Sequence, residues 1–472
     1  MFDPVIAPSG TLLGLLQRGR GDGTLHALAA PRAEALAALN HCVLNDPRHD
    51  WQVENRSLYY ARLYLDLHGS LEEIERHLCD TDDHLDTDEA RTGLALAVLG
   101  HLASYGRGDA LSLLRRYAAN GANWAWALDE LALRDNDSGL RALATSVLAR
   151  FPATPEGDAE LAVAVRDAFE PRPWRLWAED RREAIAARVR AAQEAGSFDR
   201  WQRQMRPSGP RPGWSVQAVF DWAEQGLERG SPLHVPAARC LSAVAGPEDR
   251  PAIVEAARAG SDGARCAALH YLAESRDTVV LDLIEAAVSG GSHTVAEAAV
   301  SAFERMCGDE AVDRARGWVH RPDALGASAA GVLACRGTAG DAPLVLGALR
   351  ETVRADGPDA ILLWTLVDGA GRLGIACAAP VLRHVYRETA SSQLRGRAAR
   401  ALAATDPSFP TGFAVECLWD CEETTREVAA LHAETGDVRV AERLRRLAAD
   451  PAEEAEVQTA VRSRIGPDMP AM

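Results

Sequence analysis

ARCAALHYLAESRD, residues 264–277, decides how this chain is read, because its pattern returns further along. VAEAAVSAFERMCGD (295–309), GASAAGVLACRGTAGD (326–341), GRAARALAATD (396–406) and REVAALHAETGD (426–437) each carry an Ala-Ala pair near the centre. The second alanines are Ala268, Ala299, Ala330, Ala399 and Ala430, spaced by 31, 31, 69 and 31 residues. The longest interval has room for one further unit, GPDAILLWTLVDGAGRLG (357–374). A second marker keeps the same beat: every segment leads into a turn, at Asp277, Asp309, Asp341, Asp406 or Asp437. Two features sharing one period of about 31 residues identify an internal repeat.

Beyond each turn the apolar residues fall at helical spacing. Val280, Ile284, Ala287 and Val288 follow i, i+4, i+7, i+8, and Val312, Ala315 and Val319 follow i, i+3, i+7. The unit is therefore helix, short Asp/Gly turn, helix. Alanines on the first helix let neighbouring helices approach closely, so each unit buries its face on the next. The expected fold is all-α, a right-handed α-solenoid of helical hairpins in two blocks. Three looser hairpins precede the repeats, at 56–78, 90–118 and 123–151. The organisation expected is a helical cap at 1–50, repeats at 51–170, a bridge and linker at 171–213, repeats at 214–450, and a C-terminal helix and tail at 451–472.

The Ala-Ala centres and the Gly-Asp or Arg-Asp turns resemble the HEAT-repeat superfamily, in particular the short HEAT-like repeats of phycobilisome lyases. The resemblance covers residues 234–450 and implies a fold, not a chemistry. No bilin-handling residue carries over. The His-Glu dipeptides that serve as iron ligands in HEAT-type hydroxylases do not occur in the sequence.

Composition agrees with a helical chain. Of 472 residues 47% are hydrophobic, dominated by Ala, Leu and Val, and 25% are charged. Ala and Leu lose little side-chain entropy in a helix. All 51 basic residues are arginine, as a GC-rich bacterial genome would produce, and the formal net charge is −17. That balance argues against a surface that coats nucleic acid. Nine cysteines without a CxxC are expected to be reduced core thiols of a cytoplasmic protein, with Cys417 and Cys421 one helical turn apart in the core. Neither a signal peptide nor a membrane span is expected.

The exception to the acidic balance is residues 171–213, with ten arginines against five acids. Five of the eleven tryptophans, 174, 177, 201, 214 and 222, gather in or beside it. Pro173 suits a helix first turn, and one long helix is expected to follow, stacking Arg181 on Trp177 and pairing Glu179 with Arg182 and Arg190 with Glu194. PSGPRPG (207–213) then breaks helix. Such a stretch reads as an internal bridge, its tryptophans packed between repeats. Read as a binding surface, it would use Trp174, Arg175, Trp177, Arg181, Arg188, Trp201 and Arg203 against an acidic protein segment or a nucleic-acid strand.

Catalytic and metal patterns are weak. HLCDTDDHLDTDE (77–89) lacks the glycine of a calcium loop and the spacing of a zinc site, and reads as an acidic loop with Thr87 or Asp88 capping the next helix. Neither a cofactor nor a metal is expected. Trp124, Trp126 and Asp129 resemble, loosely, the Trp and Asp groups of HEAT-like alkylpurine DNA glycosylases. That likeness implies an alternative, nucleic-acid-directed function. The leading expectation is a non-catalytic scaffold or adaptor that binds a protein partner on a concave surface, without a membrane role.

Overall fold

The computed structural model describes residues 6–47, 54–80, 89–204, 213–290 and 292–465, with the side chains of 89–90, 196–204 and 465 excluded. Among these residues the chain is all-α, and no strand occurs. Contacts divide it into two compact units. The first comprises residues 1–206, 387–399 and 408–472, and the second 207–386 and 400–407.

Unit 1 opens with α1 (Leu12–Gln17), α2 (Gly21–Ala29), α3 (Arg32–Leu44), α4 (Arg56–Asp66), α5 (Glu72–Leu78) and α6 (Glu89–Ser104). It continues with α7 (Gly108–Asn120), α8 (Trp124–Arg134), α9 (Asp137–Leu148), α10 (Pro155–Asp167), α11 (Arg172–Ala178) and α12 (Glu183–Gln204). Unit 2 holds α13 (Val216–Glu228), α14 (His234–Val244), α15 (Arg250–Ala259), α16 (Asp262–Glu274), α17 (Val279–Val288) and α18 (His293–Arg305). It ends with α19 (Asp309–Trp318), α20 (Ala324–Arg336), α21 (Ala342–Asp356), α22 (Leu363–Arg372) and α23 (Ala379–Glu388). The last helices are α24 (Ser392–Thr405), α25 (Phe413–Cys417), α26 (Glu423–His432), α27 (Val438–Ala449) and α28 (Ala455–Ile465).

In unit 2 the alanine-rich helices α14, α16, α18, α20 and α22 pack each on the next, and α15, α17, α19 and α21 pack beside them. Ala268, Ala299 and Ala330, like Ala399 and Ala430, are buried. A methyl side chain in the contact lets the backbones come close, which is what the repeated pair provides. At Gly369 even a methyl is too large, since a Cβ there would collide with Ala334.

The Asp markers have a structural partner that the sequence pattern does not announce. Arg250 on α15 bonds both oxygens of Asp277 (2.6 and 3.0 Å), and Arg316 on α19 does the same to Asp341 (2.7 and 2.9 Å). Arg383 on α23 reaches Asp406 at 2.7 Å. In each case an arginine on the second helix of one hairpin holds the turn of the next. The same device recurs in unit 1, where Arg115 on α7 grips Asp135 after α8 (2.7 and 2.5 Å). Bidentate Arg–carboxylate pairs fix orientation as well as contributing energy, so they set the stagger between hairpins. The second helix equivalent to these ahead of Asp309, α17, has no arginine to offer, and Asp309 is exposed.

Unit 1 brings the two ends of the chain together. The Cys421 N–H donates to the Gly19 carbonyl (2.9 Å), and α2 packs on α25. Side chains at Gly19 or Gly21 would collide with Cys421 or with the Glu416 carbonyl, and Gly19 has φ +67°. Glu54 accepts the Ser392 N–H at 2.7 Å, and Arg62 on α4 pairs with Asp450 (2.7 Å) and Glu453 (3.0 Å). Beneath these lie two buried ion pairs, Arg395–Asp420 (2.8 and 3.0 Å) and Arg426–Glu453 (3.1 and 2.6 Å). Arg426 also donates to the carbonyls of Asp420 (2.8 Å) and Cys421 (2.7 Å), so its fork is well used.

Candidate functional site

The arginine–tryptophan stretch is largely interior. Trp174 and Trp177 are buried, with ring centroids 4.9 Å apart, and Trp174 meets Trp124 edge-on at 6.4 Å. The Trp177 indole N–H donates to the Leu140 carbonyl (2.8 Å). Neither indole offers a face to a nucleobase or a partner.

The expected single long helix is broken. α11 ends at Ala178, and the Asp180 carboxylate accepts both the Arg182 N–H and its guanidinium (2.8 and 2.9 Å), turning the chain before α12 starts at Glu183. Arg182 thus pairs with Asp180 rather than Glu179, and Arg190 with Glu183. Arg181 is exposed while Trp177 is buried, and the guanidinium that does cover an indole here is Arg150, over Trp124.

Several arginines of the stretch close helix ends. Arg188 donates to the carbonyls of Phe151 and Pro152 (2.9 and 2.8 Å) and pairs with Asp158. Arg172 donates to the Ala132 and Asp135 carbonyls (2.6 and 2.9 Å). Helix C-termini leave carbonyls without intrahelical partners and carry partial negative charge, which a guanidinium satisfies on both counts. Among the candidates whose side chains are described, only Arg175 and Arg181 stand exposed. The side chains of Trp201 and Arg203 lie outside the described residues, as do residues 207–212 of the linker and Thr87 and Asp88.

The Trp124–Asp129 candidates sit on α8. Trp124 packs edge-on against Phe151 at 5.8 Å and belongs to the core margin. Trp126, Asp129 and Leu133 follow i, i+3, i+7 on a face that is only partly covered. Asp129 accepts the Glu170 N–H at 3.1 Å. Burial, reinforced by the nearby Glu170 carboxylate, raises its pKa to about 6. Its neighbour Glu130 is tucked over Gly100 of α6, pairs with Arg134 at 2.6 Å and hydrogen-bonds Trp126. Burial outweighs both partners and lifts Glu130 to about 7. Alongside, burial and the guanidiniums of Arg134 and Arg62 depress His101 to about 4. Two carboxyls titrating near neutrality mark this face as chemically unusual.

Unit 2 presents a different feature, a groove of about 670 Å³. Its walls come from α15, α17, α19 and the turn at Asp277, and Val279 and Leu281 are among its lining residues. Four carboxylates, Asp277, Asp282, Glu310 and Asp313, face two guanidiniums, Arg250 and Arg314. Elsewhere in unit 2, between α14 and α16, the rings of His270 and His234 stack with centroids 4.9 Å apart. His270 is 0% exposed and neither of its ring nitrogens has a hydrogen-bond partner.

Among the described residues no group of three or more His, Cys, Asp or Glu side chains is placed to hold a metal ion. All nine cysteines are free; Cys42, Cys240, Cys266, Cys417 and Cys421 are buried, whereas Cys79, Cys307, Cys335 and Cys377 are exposed rather than in the core. No described helix is long and apolar enough to cross a membrane. Comparison with family models, with curated proteins and with solved structures finds no match to this chain.

Proposed function

We propose that this chain is a HEAT-like helical-repeat scaffold, its hairpins stacked as a right-handed solenoid, that binds a protein partner in the cytoplasm through the groove on its second helices. The observation that carries the reading is that groove: three successive second helices, α15, α17 and α19, leave a trough of about 670 Å³ lined by four carboxylates, two guanidiniums and the apolar Val279 and Leu281. Stacked repeats commonly offer such extended surfaces, and charge on the rim supplies specificity and encounter rate more than affinity.

The alternative, a nucleic-acid-binding or glycosylase-type protein, needs stacking indoles and free guanidiniums. Against it stand the burial of Trp174 and Trp177 and the use of Arg172 and Arg188 as helix-end partners. It predicts oligonucleotide binding that weakens steeply with salt and is lost in Arg175→Ala/Arg181→Ala.

A photo-crosslinking residue placed at Asp282 or Asp313 tests the scaffold reading in the host cell. One recurrent polypeptide adduct is expected from both positions, absent from the exposed Arg258 position on α15 and lost on Asp282→Arg/Asp313→Arg. Adducts of equal pattern from Arg258, or none from the groove, overturn it.

A further inference from the structure

Seven large apolar side chains are exposed among the described residues, and two of them, Leu133 (60%) and Phe169 (82%), flank one contact of unit 1, where the segment before α11 is bonded to α8. Scattered apolar residues at a surface need no explanation, but a concentration of them does. Phe169 is not on a loose loop. The next residue, Glu170, donates its N–H to Asp129 on α8 (3.1 Å), and Arg172 donates to the Ala132 carbonyl on the same helix (2.6 Å). The segment between α10 and α11 is thereby fixed against α8, and the flanking Ala168 and Val165 pack on the core while Phe169 does not.

The charges beside it are unbalanced. Asp129 and Glu170 are both partly buried, and among the described residues no arginine pairs with either. A carboxylate partly removed from water without a counter-ion costs free energy at neutral pH, and a cation brought by a partner recovers it. An exposed aromatic beside apolar neighbours and unpaired carboxylates has the composition of an interface anchor.

We propose that this region is a docking surface for an amphipathic helix of a partner protein, one that seats apolar side chains on Phe169 and Leu133 and a lysine or arginine against Asp129 and Glu170. The Trp126–Asp129–Leu133 face of α8 runs two helical turns, about 10 Å, the length over which a partner helix offers side chains at i, i+3/i+4 and i+7. The surface is separate from the unit 2 groove and stands without it.

The test uses the full chain and two fluorescein-labelled 18-residue peptides with leucines at amphipathic helical spacing, one with lysine and one with glutamate on the polar face. Anisotropy titrations are expected to show the Leu/Lys peptide binding at least about tenfold more tightly than the Leu/Glu peptide. Phe169→Ala should weaken it about tenfold. Asp129→Asn/Glu170→Gln should weaken it severalfold, and Asp282→Asn/Asp313→Asn in the unit 2 groove should leave it unchanged. Absence of binding, equal binding of both peptides, or Leu/Lys binding indifferent to Phe169→Ala and Asp129→Asn/Glu170→Gln overturns the proposal. Loss of binding in the groove variant alone overturns it while leaving the groove reading intact. Displacement of the peptide by a single-stranded oligonucleotide overturns it in favour of a nucleic-acid site.

Discussion

His270 gives the most direct physical test of how unit 2 is built. Its ring is wholly buried on α16, stacked on His234 of α14, with Arg305 of α18 contributing positive potential. Burial first, then His234 and Arg305, lower its pKa from 6.5 to about 3. The folded value lies below the unfolded one, so the unfolded chain takes up the proton first on acidification. Stability is fully present above pH 6.5 and falls as pH drops towards 3. For this shift the linkage amounts to about 2 kcal/mol at pH 5 and about 3 kcal/mol at pH 4, relative to pH 8.

His270→Phe keeps a ring against His234 while removing both unpartnered nitrogens. It is expected to stabilise unit 2 at pH 8 by about 1–3 kcal/mol, the cost of an unsatisfied buried polar group. Its advantage over the natural chain should widen by about 2 kcal/mol at pH 5. Hydrogen exchange of the α16 amides, corrected for intrinsic rates, reads the stability at each pH, and the imidazole resonances read the titration directly. A His270 midpoint near 6.5 in the folded protein, or parallel loss of protection in both chains between pH 7 and 5, refutes the reasoning.

Other consequences are local. Asp341→Asn removes the charge that Arg316 grips and should cost unit 2 about 1–2 kcal/mol in urea denaturation. That loss should disappear as the natural chain is acidified through its own Asp341 titration, which Arg316 holds at about 2. Glu453→Gln takes the carboxylate from the buried Arg426 guanidinium, while Arg62 keeps Asp450, and should destabilise unit 1 by about 3–5 kcal/mol, whereas Arg426→Met/Glu453→Met should cost less than the two single changes together. Glu130, raised to about 7, favours the folded state below pH 4.5 and loses that contribution as pH rises through 7. Glu130→Gln should therefore stabilise by about 1–3 kcal/mol at pH 8 and not at pH 4 in the same denaturation assay. Gly21→Ala should loosen the contact between α2 and α25, seen as faster hydrogen exchange in both helices.

The repeat was legible because it depends on nearest neighbours. Ala268, Ala299 and Ala330 are small where helices meet, and the 3.6-residue period of Val280, Ile284 and Ala287 names the buried face without reference to anything distant. Helix ends were harder. Nothing in WRLWAEDRREAIAARV compels a break after Ala178, and the Asp180 turn wins because Arg182 also finds Thr145 and the Arg141 carbonyl on α9. The candidate residues fared according to the same rule. A tryptophan beside arginines reads equally well as a binding surface or as an anchor, and only the position of α9 and the Leu140 carbonyl assigns Trp177 to the interior.

What the amino-acid order determined by itself was the all-helical class, the hairpin unit and the residues each hairpin buries, since helix propensity and apolar period act over a few neighbours. Tertiary structure alone decided that residues 408–472 belong with the first 206, that Arg115, Arg250, Arg316 and Arg383 hold the following turns, and that Phe169 remains uncovered. Those outcomes depend on groups tens or hundreds of residues apart. Gly19 meets Cys421 and Arg62 meets Glu453 through close approach and ion pairing, interactions whose strength is set by distance and dielectric in the folded molecule and leaves no period in the sequence.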